Sequence, residues 1–366
     1  MSAEEGKGGP GGWTTMKIDP EIFEELGVRD PEELKREMSI SKRVRQVRKE
    51  LKDKPDNIDL QLELGRLFID GREFDEATKQ LKQVTSRDNQ NGLAYKLLGT
   101  AYAMFNHEDE AIRELTRASE ILPEDPEVHL NLGGVFMLQD MYESAARCFR
   151  KVVEIDPMDR LGYANLAAAY DMDKKYDEEI QALKKILMFT PEDIELRSAL
   201  STAYFNSENY DEALTHALCV IELDEKDPQA YCNLGSCYSA QNMTDEAIEA
   251  FKKATEIDPD YSLPHTNLGS LYATIGRIEK AIKEFKLATS MNKSDSLAWM
   301  NLYSCYKEVG RMEDAQEAFR KYESLMNEGS QTDNETNIPG GVSQTSQLAS
   351  GEDMNTASPG MEELTS

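Results

Sequence analysis

Apolar positions along this chain return every 34 residues. Leu64-Gly65, Leu98-Gly99, Leu132-Gly133, Leu234-Gly235 and Leu268-Gly269 all fall in one frame. Counted from Ile58, the seventh place of each unit is Leu64, Leu98, Leu132, Leu166, Leu200, Leu234, Leu268 or Leu302, and the eleventh is aromatic from Phe68 to Tyr306. Places 4, 7, 8 and 11 make one stripe at helical spacing, and places 20, 24 and 27 make a second. The pattern predicts two amphipathic helices per unit joined by a short turn. Place 20 is alanine in every unit but the fourth, where Glu179 stands. Small residues permit two backbones to approach, so the Leu-Gly step is expected to meet that alanine.

The ends of these helices are also written in the sequence. An acid at place 18, from Asp75 to Glu313, suits the positive end of the second helix dipole. Pro123, Pro157, Pro191 and Pro259 close second helices, and Asp125-Pro126 and Asp227-Pro228 open first helices as cap and first residue. These residues at this spacing resemble the tetratricopeptide repeat (TPR) family. The resemblance covers residues 58–329 and implies an all-α, right-handed superhelical solenoid of antiparallel helix pairs, whose first helices line a concave groove. Neighbour stacking then supplies the core that a single unit lacks.

Outside the repeats the composition changes. Residues 1–12 are glycine-rich and 330–366 are acidic and Ser/Thr-rich, and both are expected to be disordered. Between them, 13–57 reads as a helical leader and degenerate capping half-repeat. It has a short helix over 19–27 carrying Phe23, a second opening at Asp30-Pro31, and a basic helix following Ser41.

Charge and cysteine content narrow the function. The chain carries 69 acidic residues against 41 Lys and Arg, a net charge of -28, which opposes nucleic acid as the main partner. No apolar run is long enough to span a membrane, no secretory h-region is visible, and five cysteines lack a framework spacing, so a cytoplasmic protein is expected. His107, His129, His216 and His265 have no mutual ligand spacing, and no Cys-x-x-Cys exists. No metal site, no cofactor and no enzyme is expected, since no catalytic fold accompanies the repeats.

The groove is the remaining candidate. Its sixth places include Asn131, Asn165, Asn233, Asn267 and Asn301, and an amide offers donor and acceptor to any peptide main chain. The row resembles the asparagine ladder of the TPR superhelix in O-linked N-acetylglucosamine transferases, which implies a main-chain clamp at those five positions. Met104, Met137, Met172 and Phe205 add adaptable apolar surface nearby. Co-chaperone TPR domains clamp a terminal carboxylate with Lys and Arg. Here Lys96 and Asn131 lack the later cations, so that ligand is disfavoured. The expected function is a non-enzymatic adaptor that binds a neutral or basic protein segment, and the alternative is a scaffold that homo-oligomerises through its N-terminal region.

Overall fold

A computed structural model describes the backbone of residues 31–332 and the side chains of 34–327. The expected disordered ends, the helix over 19–27 and Phe23 lie outside the described residues. Within them the chain forms seventeen α-helices and no strand. Helix α1 is Pro31–Asp53. The first helices of successive repeats are α2 (Ile58–Asp70), α4 (Gly92–Met104), α6 (Pro126–Leu138), α8 (Arg160–Met172), α10 (Ile194–Asn206), α12 (Pro228–Ala240), α14 (Ser262–Thr274) and α16 (Ser296–Glu308). The second helices are α3 (Phe74–Arg87), α5 (Glu108–Ile121), α7 (Tyr142–Ile155), α9 (Tyr176–Leu187), α11 (Tyr210–Leu223), α13 (Thr244–Ile257), α15 (Ile278–Met291) and α17 (Met312–Thr332).

Each boundary has a local cause. Asn57, Asn91, Asp125, Asp159, Asp193, Asp227 and Asp295 precede first helices, and each accepts a hydrogen bond from a free N–H of the first turn. Between the two helices of every repeat, place 15 takes a left-handed backbone. It is Arg72, Asn106, Asp140, Lys174, Glu208 and Asn242 in the first six, with φ from 54 to 62°, and Gly276 and Gly310 in the last two. A single left-handed residue reverses the chain after a helix and returns its N–H groups to the last carbonyls; Arg277 N, for example, bonds Tyr272 O at 2.8 Å.

Two expectations about the leader and the tail are corrected. One uninterrupted helix runs from Pro31 through Ser41, because Ser39 and Ser41 point to solvent and no glycine or proline breaks the stretch. At the other end α17 continues to Thr332, three residues into the stretch assigned to the tail.

The helices divide into two compact bodies. One comprises the described residues up to Met141 with Glu154–Asp156, and the other Tyr142–Val153 with those from Pro157 on. In the first, α1 to α6 each pack on the next, and α2, α4 and α6 also touch in succession. In the second the same holds for α8 to α17, with α10, α12, α14 and α16 touching in succession. The Leu-Gly step meets its second helix most closely at place 24, one turn beyond the place-20 alanine. A Cβ on Gly65, Gly99, Gly235 or Gly269 would lie 2.5–2.7 Å from Leu81, Leu115, Phe251 or Phe285, the large residue at place 24. Glycine thus makes room for a side chain one turn further along, which is fully buried in each case.

Candidate functional site

The candidate surface is the face of the first helices opposite their core stripe. It is half-buried by geometry, since adjacent first helices touch along it. In the first body, Asn131 Nδ2 donates to Thr100 Oγ1 at 3.0 Å, and Thr100 donates back to Lys96 O at 2.9 Å. In the second, Asn267 Nδ2 reaches Ser236 Oγ and Asn301 Nδ2 reaches Ser270 Oγ, each at 3.5 Å. Both serines donate to the carbonyl one turn earlier, at 3.0 Å. The amide donors of these three asparagines are therefore turned toward the hydroxyl at place 9 of the preceding repeat. Asn165 is half-buried at the equivalent place.

Asn233 differs. Its Nδ2 is buried and has no hydrogen-bond partner. Thr202 Oγ1, at place 9 of the preceding repeat, donates to Ser198 O at 3.2 Å as its counterparts donate to theirs, but accepts nothing from Asn233. A buried amide donor without an acceptor costs free energy on the order of 1–3 kcal/mol. It lines a recess of about 540 Å³ in the second body. Phe205 and Ala199 of α10 form part of the wall, with Ser236 and Cys237 of α12 opposite and Asp171 and Glu179 contributed by α8 and α9. Glu179 is 7% exposed, and its Oε2 also lacks a partner. Burial, with the Asp171 charge added, pushes its carboxyl up to about 8.

The remaining candidates are dispersed. Met104 and Met172 are exposed and Met137 is half-buried. Met104 borders a smaller recess of about 430 Å³ in the first body, shared with Leu97, Thr100 and the Arg36 and Ile40 positions of α1. Lys96, the cation that matches a carboxylate clamp, is already paired with Asp125 at 2.9 Å and Glu127 at 2.8 Å. That leaves it a poor receptor for a terminal carboxylate.

The histidines serve the fold. His129 Nε2 sits 2.9 Å from Pro123 O, the same bond that Gln61 makes to Pro55 O, Arg197 to Pro191 O and Trp299 to Lys293 O. Place 4 thus ties the start of a first helix to the preceding turn through any side-chain N–H. His265 pairs with Glu284 at 2.8 Å, while His107 stacks on Phe105 and His216 on Tyr204. Burial pushes the Cys148 and Cys305 thiols up to about 11 and those of Cys232 and Cys237 to about 12, which keeps them protonated and poor nucleophiles. Among the described residues no cluster of His, Cys, Asp and Glu has metal-binding geometry, and no helix is long and apolar enough to cross a membrane.

Sequence reasoning placed Asn233 and Phe205 on this face but missed Glu179 as part of it. The signal was present, since Glu179 is the only departure from alanine at place 20.

Profiles of the tetratricopeptide repeat match residues 62–126, 126–158, 228–261 and 250–283. No curated protein matches the chain. Among solved structures, YrrB, described as a TPR protein with an unusual peptide-binding site, is 20% identical over 50% of this chain and 95% of its own, with a TM-score of 0.44. MamA from Desulfovibrio magneticus RS-1 is 20% identical over 46% of this chain and 95% of its own, with a TM-score of 0.40. The Cut9–Hcn1 hetero-tetramer of the APC/C is 17% identical over 73% of this chain and 52% of its own, with a TM-score of 0.40. The profile matches fall in the 34-residue frame that the helix pairs, their caps and the left-handed place 15 share, and the chain is a tetratricopeptide-repeat protein.

Proposed function

We propose that the protein is a non-enzymatic adaptor that binds a segment of a partner protein along the first-helix face of its second body. The observation that carries this reading is the unpartnered Asn233 amide inside the 540 Å³ recess. A peptide carbonyl is the commonest acceptor that would satisfy it, and an extended chain presents one on every residue. Asn165, Asn267 and Asn301 extend the contact surface of this body, and Asn131, Met104 and Met137 supply an equivalent face on the first; Met172 and Phe205 provide apolar contacts near the recess. The net charge of -28 favours neutral or basic segments over acidic ones.

A random-peptide display selection on the full chain tests this. Enriched peptides are expected to bind the Asn233→Ala variant several-fold more weakly, about 1 kcal/mol for one amide bond. Filling the recess with Ala199→Trp should abolish binding while helical circular dichroism is retained. Peptides that bind both variants as tightly as the parent would refute the assignment.

A further inference from the structure

Two carboxylates, the buried Glu179 and the exposed Asp171, line the recess without a cation paired to either. Glu179 rises from the first turn of α9 and Asp171 lies at the end of α8, near enough for their charges to repel. Among the described residues neither is paired with a lysine or arginine; Lys175, four residues from each, is committed to Asp173 at 2.7 Å. Glu179 is more than nine-tenths buried, and its Oε2 is an acceptor with nothing to accept from. The seven other repeats place alanine there. A buried carboxylate is costly unless a partner arrives, and a structural role would have recruited one from within the fold.

Other walls of the recess fit the stem of a long side chain. Phe205 and Ile194 of α10 line it, and an aromatic face suits a planar guanidinium. Asn233 stands in the same recess and would hold the main chain that carries such a side chain.

We infer that the Glu179–Asp171 part of the recess is a specificity pocket for an arginine side chain of the bound segment. The inference rests on the proposed groove binding and names the residue class that the groove selects. A guanidinium offers five donors to two carboxylates, and its own charge holds Glu179 in the ionised form once bound.

The test uses the full chain with labelled isoleucine methyl groups and two probes, N-acetyl-arginine amide and its neutral isostere N-acetyl-citrulline amide. The arginine probe should shift the Ile194 methyl saturably and leave Ile278 of α15 unmoved, with the citrulline probe at least tenfold weaker. Glu179→Gln and Asp171→Asn should each weaken the arginine probe at least fivefold. Equal binding of the two probes, or no shift at Ile194, overturns the arginine pocket. The comparison of probes needs no variant, so a misfolded variant does not mask the answer. Failure here is separable from failure of the groove reading: selected peptides that lose affinity in Ala199→Trp but show no arginine dependence would sink the pocket alone.

Discussion

Glu179 should make the stability of this protein depend on pH in an unusual direction. Its carboxyl lies at about 8 in the fold against an ordinary value of 4.5. Between those values the folded chain holds a proton that the unfolded chain has released, so stability falls as pH rises from about 4.5 and levels off above about 8. Taken at face value the difference is on the order of 4–5 kcal/mol. Local rearrangement and water entry lower the realised cost to about 1–3 kcal/mol. Glu179→Gln keeps the shape and removes the titration. Urea unfolding of parent and variant at pH 5 and pH 8.5 should show near-equal stability at the lower pH and a variant advantage of about 1–3 kcal/mol at the higher. Hydrogen exchange localises the effect, because a repeat stack opens locally. At pH 8, amides of 160–227 should exchange faster than those of 228–295 in the parent and slow in the variant. A stability difference that does not change with pH would refute the burial argument.

Three further outcomes follow from the geometry. Glu208 holds a left-handed backbone at φ 62° where later repeats have glycine, so Glu208→Gly should raise the melting midpoint by relieving about 1 kcal/mol of strain; an unchanged or lower midpoint speaks against strain at place 15. Ser201 Oγ donates to Ala213 O at 2.8 Å inside the core, and Ser201→Ala should destabilise by about 1 kcal/mol in denaturant titration, whereas no loss would mean that the bond contributes nothing net. Helix α1 buries Val44 and Val47 and lays Arg48 over the Phe68 ring at 5.2 Å, so a chain beginning at Asn57 should self-associate in sedimentation as its first apolar face is uncovered; a monomer as stable as the full chain would assign α1 another task.

The helix pairs were legible because each demanded the same apolar spacing, and eight repetitions removed the ambiguity of any one. Contacts between side chains were less so. The frame showed that glycine and a small residue recur at places 8 and 20, but periodicity does not say which residues touch, and the glycine proved to clear space for place 24. Ser201 and Ala217 stand at places 8 and 24 of the fifth repeat. In the fold Ser201 fills the glycine's place where Ala217, not a Leu or Phe, stands at place 24, and its hydroxyl is bonded across the pair of helices. Arg197 at place 4 interrupts the apolar stripe yet makes the same carbonyl bond as His129, since only an N–H is required there. The asparagine ladder was visible as a row. That the Asn233 amide donor is buried without a partner depends on where the neighbouring side chains sit, which a sequence does not display.

The most direct test is to map where a selected peptide lies. A photoreactive residue at Ser270, on the first-helix face of α14, and another at Glu249, exposed on α13, report on opposite sides of the second body. Binding along the first-helix face predicts that irradiation joins the peptide to the Ser270 position, with excess unlabelled peptide suppressing the product, and leaves the Glu249 position unmodified. Crosslinking at Glu249 with none at Ser270 would contradict it and move the binding surface to the second helices.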